Sequence, residues 1–194
     1  MKKSLTIIVI IVVIAAVIVG TKMFTNNEEV VLKSNFAPVE NAAGLSTIID
    51  NVYAGISMEM PMVATQEHDV TDSDTVTYVT GLENGEKLEY LVSSDPMMSS
   101  QAYSFVLAKV KEGINAEEVA KEMSDKIDTR KWICVSAEKL YATNSGDIVC
   151  LIMSSEELAK PIYEKFKELA GTVGQEFEKT EEAPELPEDM MYEE

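Results

Sequence analysis

Side chains that usually carry chemistry are scarce in this sequence. The 194 residues include one histidine, two cysteines and one tryptophan, and acids outnumber bases by 34 to 16. With a net charge of −18, the shortage of bases excludes a phosphate-neutralising surface of the kind that holds nucleic acid. The two cysteines form no C-x-x-C pair and have no histidine beside them, so neither reads as a redox centre or an activated thiol. The Walker loop and the G-x-G-x-x-G fingerprint are both missing. Carboxylate pairs are inevitable among 34 acids, so they carry no glycosidase signal.

One long hydrophobic run is present. Lys2 and Lys3 precede Leu5 to Val19, and no further charge appears until Lys22. As a helix this uncharged stretch spans about 27 Å, close to the hydrocarbon thickness of a bilayer. The following Gly20-Thr21-Lys22-Met23-Phe24 offers no A-x-A-like cleavage site, and no lipid-bearing cysteine follows the run. An uncleaved transmembrane anchor over residues 5–22 is therefore expected, with residues 1–4 as a cytoplasmic stub. The basic N-terminal flank keeps that end in the cytoplasm and sends the remainder outside the cell membrane. Residues 23–44 lack a sustained period and read as a tether. Residues 172–194 are acidic, contain Pro184 and Pro187, and read as a disordered tail. Between them, 45–171 forms one extracytoplasmic domain.

Within that domain, Leu45, Ile48, Ile49, Val52, Tyr53 and Ile56 mark one helical face. Ala116, Val119, Ala120, Met123 and Ile127 mark a second, with Asn115 and Glu118 placed as a capping pair. A third helix is expected from Ser154 with Glu157 as its capping partner, through Phe166 to a stop at Gly171. Pro161 should kink it or break its first turn. Strands are predicted at 88–92, 103–110, 132–135 running on to 140–142, and 148–153, the last apolar on both faces. Asn144 to Asp147 reads as the turn before it. Residues 75–80 suit either a strand or a helix between Asp72 and Gly81. The order from 86 to 171, strand-strand-helix repeated, gives an α+β fold: a mostly antiparallel sheet packed with helices, behind one N-terminal transmembrane helix.

Candidate chemistry is thin. His68 lies among Glu67, Asp69, Asp72 and Asp74, but without EF-hand order the cluster reads as a solvated acidic loop before a divalent-cation site. Met58, Met60 and Met62 alternate, with Met97 and Met98 further on. Thioethers suit Cu(I), yet a methionine-lined core edge produces the same pattern. Cys134 and Cys150 fall in apolar stretches and read as buried free thiols, because the expected hairpin sets Cys150 near Tyr141 rather than opposite Cys134. Serines cluster from Ser93 to Ser100 with no G-x-S-x-G elbow or S-x-x-K arrangement and with the histidine distant in sequence. They read as a loop whose hydroxyls satisfy backbone donors. No catalytic residue, metal ligand or cofactor-binding residue is assigned.

Three stretches taken together carry a resemblance: Asp95 to Ser104, Ile127 to Val135, and Gly146 to Ser154, with Tyr78 to Leu82. They resemble an uncharacterised family of extracytoplasmic bacterial domains, a domain of unknown function common in Gram-positive anaerobes. The resemblance covers about residues 45–171. It implies export and envelope attachment and supplies no catalytic residues. Many members look like lipoproteins, whereas this chain has an apolar helix in place of the lipid-bearing cysteine. The expectation is a membrane-anchored, non-enzymatic module of the cell envelope that binds a ligand or an envelope protein partner. The alternative is an envelope metal-binding protein using Met58, Met60, Met62 or His68.

Overall fold

The structure, a computed structural model, describes residues 32–98 and 100–181. Helix α1 (Ala42–Ala54) opens it, capped by Asn41, whose side chain accepts from the Gly44 amide. Its Leu45, Ile48, Ile49 and Val52 are buried at 3/4 spacing, each contributing about 1.5–3 kcal/mol. Strand β1 (Val63–His68) follows, then helix α2 (Ser73–Thr80). The ambiguity over residues 75–80 resolves as a helix because both ends are capped. Asp72 accepts from the amide and hydroxyl of Thr75, and Gly81 takes the left-handed conformation at φ 78°.

Strands β2 (Leu88–Pro96) and β3 (Ser104–Val110) form a hairpin, followed by α3 (Ala116–Lys126). Asn115 caps α3 through the amides of Glu117 and Glu118. A second hairpin, β4 (Lys139–Ser145) and β5 (Ile148–Ser154), turns at Gly146, whose φ of 59° suits the first central position of a type II′ turn. Helix α4 (Glu156–Ala170) and strand β6 (Phe177–Thr180) complete the domain. The six strands form one antiparallel sheet in the order β1-β2-β3-β5-β4-β6. Helices α2 and α3 pack on one face over Leu91, Val106, Leu151 and Leu140. Helices α1 and α4 pack on the other, over Phe105, Leu107, Cys150 and Ile152. The α+β expectation holds, and β5 is buried along its whole length between β3 and β4.

Several boundaries differ from the sequence reading. Residues 132–135 form no strand: Cys134 sits at φ 62°, outside any strand conformation, and the loop is closed by the Ala137 amide donating to the Thr129 carbonyl. Cys134 is exposed and only Cys150 is buried, so the expectation of two buried thiols fails for the first; both are free. Cys150 pairs across with Thr143, two residues from the expected Tyr141. Ser154 belongs to β5, its hydroxyl donating to the Ala102 carbonyl, and α4 starts one residue later without a side-chain cap. Helix α4 runs through Pro161 with its first turn intact.

The domain also extends past both expected ends. Val39 is buried, Phe36 packs against Phe166 at 5.4 Å, and the Asn35 amide donates to the Ala170 carbonyl, so the latter part of the expected tether lies on the domain. On the other side β6 joins β4, with Phe177 against the core and Glu178 paired to Lys139, which places residues 177–180 in the sheet rather than in a disordered tail. No helix among the described residues is long and apolar enough to cross a membrane. The expected anchor, residues 5–22, lies outside the described residues.

Candidate functional site

Along β2 the face under α2 and α3 changes character. Leu88 and Leu91 are followed at alternate positions by Ser93 and Asp95. In the neighbouring strands the register that pairs His68 with Leu91 and Gln66 with Ser93 places His68 and Gln66 on this same face, and the step after Ser94–Phe105 brings Asp95 to Ser104. The apolar core therefore gives way to a polar patch at the end of the sheet where β2 runs into β3. The loop after α3 crosses it and contributes Lys131 and Trp132.

Five side chains there form one continuous hydrogen-bond chain. Ser93 Oγ donates to Asp95 Oδ2, and Ser104 Oγ donates to Asp95 Oδ1 at 2.7 Å. Since the Ser93 proton is committed to Asp95, its oxygen accepts from His68 Nε2 at 2.7 Å, which assigns the proton of the neutral imidazole to Nε2. Lys131 Nζ donates to Ser104 Oγ at 3.2 Å. A central carboxylate thus joins a histidine and a lysine through two serine hydroxyls, both fully buried. Burial lowers the pKa of His68, and Lys131 adds to this while Asp95 opposes it. Burial likewise lowers the pKa of Lys131, with Asp95 and Asp128 pulling it back up. The Lys131 ammonium lies 4.9 Å from the Tyr78 ring centroid and 5.4 Å from that of Trp132, so aromatic faces replace a directly paired carboxylate. On the opposite face of β2, Ser94 and Tyr103 bond to the Tyr53 hydroxyl at 2.8 and 2.7 Å.

Beside this chain a cleft of about 620 Å³ opens between α2 and the ends of β1 and β2. Gln66, His68 and Asp95 supply polar wall; Tyr78, Met97 and Trp132 supply apolar wall. Six large hydrophobic residues are exposed among those described; two of them, Tyr78 and Met97, line this cleft, and Met62, Met98 and Ile133 do not. Met62 and Met97 adjoin through the Met97 amide donating to the Met62 carbonyl. The sixth, Ile114, follows the far end of β3. A second cleft near Ile114, about 640 Å³, is lined largely by charged groups already paired, including Lys109 with Glu89 at 2.8 Å.

Sequence reasoning picked out few of these groups. His68 is not in a solvated acidic loop but ends β1, with its Nε2 engaged by Ser93. Ser93 and Ser94 are not loop residues but buried strand residues bonded to Asp95 and Tyr53. The alternating methionines do not share one environment: Met60 packs on the core while Met62 is exposed. Among the described residues no three His, Cys, Asp or Glu side chains converge on a metal position. Ser104, Lys131, Tyr78 and Trp132 fall in the stretches that carry the resemblance but have no role assigned there, and the one local signal for the polar patch is the alternation Ser93-x-Asp95. Compared with known proteins, the chain matches no protein-family model, no curated protein and no solved structure.

Proposed function

We propose that this chain is a non-catalytic ligand-binding module of the cell envelope, held at the membrane by residues 5–22, and that it binds in the cleft beside Tyr78 and Trp132. The observation that carries the reading is one cleft whose wall joins the exposed Tyr78 and Met97, with Trp132, to the polar Gln66, His68 and Asp95. Monomeric proteins rarely leave such residues grouped without a partner for them. A binding role fits better than catalysis because Ser93 and Ser104 are buried with their protons committed to Asp95, so neither is available as a nucleophile at the cleft. The uninterrupted apolar segment, the basic N-terminal flank and the resemblance to exported domains support the placement outside the membrane.

Two measurements test this. In the full chain, solubilised in a mild detergent, small-molecule fragments should shift the amide resonances of Gln66, Tyr78, Met97 and Trp132, and the shifts should vanish in Trp132→Ala. Hits that instead collect around Gly113 and Ile114 overturn the assignment. For topology, Cys134 is an exposed reporter, whereas Cys150 is buried with its thiol pKa pushed well up by burial. A membrane-impermeant maleimide should label intact cells, and Cys134→Ser should remove the label. Labelling that requires permeabilised cells places the domain on the cytoplasmic side.

A further inference from the structure

Independently of the cleft, we infer that the free edge of β1 is a docking site for an extended, basic peptide segment of a partner, which adds to the sheet as a further strand. The sheet has two edges. At one, β6 is only four residues long. At the other, β1 runs six residues in unbroken register with β2, and it holds no proline, lysine or bulge of the kind that blunts an edge. Its outward groups follow from the ladder. The Met97 amide donates to the Met62 carbonyl at 2.9 Å, which makes 62 and 97 a hydrogen-bonded pair. Such pairs alternate in an antiparallel ladder. Ala64, Gln66 and His68 therefore turn their backbone groups to β2, and Val63, Thr65 and Glu67 turn theirs outwards. Pro96 agrees with this phase: it stands opposite Val63, where β1 asks no amide of it. Among the described residues no strand but β2 pairs with β1, and Thr65, Gln66 and Glu67 are exposed.

The charge around this edge has one sign. Between Lys33 and Lys87 lie nine acids and no lysine or arginine, and α1, β1 and α2 all fall inside that stretch. Of the nine, only Glu83 is in an ion pair among the described residues, with Lys126 at 3.7 Å. An acid flanks the strand on each face of the sheet. Glu67 shares the face of Val63 and Thr65, while Asp74, from the first turn of α2, lines the cleft with Gln66 and His68 on the other. An added strand alternates its side chains across the two faces, so lysine or arginine on either one meets a carboxylate. Lys131, the base that acts on His68, is half-buried and bonded to Ser104, so it does not counter these acids at the edge. Main-chain hydrogen bonds would hold any extended segment, and the charge decides which. A second copy would set nine acids against nine. Residues 182–194 hold six acids and no base, so they are repelled as well.

The probe is a fluorescein-labelled, acetylated heptapeptide in which lysine alternates with threonine, titrated by anisotropy against the full chain in a mild detergent. Saturable binding is expected at a Kd of about 100 µM or tighter, weakening as salt rises, with no binding of the same peptide carrying glutamate for lysine. N-methylating every backbone amide of the lysine peptide keeps its charge, removes its donors and should abolish binding. Thr65→Pro deletes the central outward donor at an edge position that tolerates proline, and should weaken binding about tenfold. Glu67→Lys, an exposed change that holds the test should the proline disturb β1, should weaken it about threefold or more. Equal binding of the methylated and plain peptides would mean that charge alone holds them, which overturns strand addition. Binding lost in Trp132→Ala but kept in Thr65→Pro and Glu67→Lys moves the peptide to the cleft and overturns the edge. A wild-type dimer that Thr65→Pro dissolves gives the edge to a second copy instead. No saturable binding of the lysine peptide overturns the proposal and leaves the cleft reading, which the fragment shifts test, untouched.

Discussion

Gly81→Ala is expected to destabilise the domain by about 3–5 kcal/mol, lowering the thermal midpoint by roughly 10 °C. Two costs combine at this position. The residue sits at φ 78°, where an L side chain is strained, and a Cβ there would lie 2.4 Å from the Ile127 amide nitrogen and 2.6 Å from the Lys126 carbonyl carbon. Those atoms are backbone at the C-terminal end of α3, which cannot swing aside as a side chain can. Gly113 supplies the control: its φ is 81°, yet a Cβ would meet nothing within 4 Å. Gly113→Ala should therefore cost only the conformational part, about 1 kcal/mol. The difference between the two variants measures the close approach of α2 to α3. Equal losses in paired thermal melts would show that the α2–α3 junction yields freely. Because α2 carries Tyr78, a displaced α2 should also weaken whatever binds the cleft.

That junction shows how far the sequence reaches. Thr75 to Thr80 are β-branched or aromatic and favour a strand by propensity, yet Asp72 and Gly81 cap both ends and the helix forms between them. The caps were visible, but their weight against propensity was not. Trp132 to Val135 fails for the reverse reason. Four strand-forming residues in a row carry no sign that Cys134 will take a positive φ, which follows from how the loop closes between Thr129 and Ala137. Strand β6 is hidden by composition, because Phe177 and the alternating Glu178 and Lys179 lie inside an acidic stretch and gain their order from β4. Buried periodicity is written locally, so α1, α3 and the β4–β5 hairpin could be read directly.

The site is written in register, and register is not local. His68, Ser93, Asp95, Ser104 and Lys131 come from three strands and a loop, and they meet only because β1 and β3 both pair with β2. The separation of His68 from the serines along the chain argued against their acting together, whereas antiparallel pairing brings them within 2.7 Å. The aromatic pair is assembled in the same way, with Tyr78 from α2 and Trp132 from the loop after α3, joined by the ammonium of Lys131.

Asp95→Ala should cost about 3–5 kcal/mol, because it leaves two buried serine hydroxyls without their shared acceptor and removes the nearby negative charge that offsets the half-buried Lys131 ammonium. Lys131→Met alone should change stability by less than about 1.5 kcal/mol, since methionine can fill the slot between Tyr78 and Trp132 while Asp95 keeps both serine donors. If the carboxylate and the ammonium act through Ser104 as one unit, the double variant should be about 1 kcal/mol or more less destabilised than the two singles added together. Strict additivity in denaturant titrations would mean that the chain is broken at Ser104. The pH dependence gives a second readout. The pKa of Lys131 in the folded protein lies below its ordinary 10.5, so between the two values the unfolded state binds more protons and stability rises with pH. Removing Asp95 takes away the charge that holds this pKa up, which widens that window at its lower end. The deficit of Asp95→Ala against the wild type should therefore shrink as pH climbs towards 10.5. In a Lys131→Met background the deficit caused by Asp95→Ala should lose this alkaline recovery, because the group that deprotonates is gone.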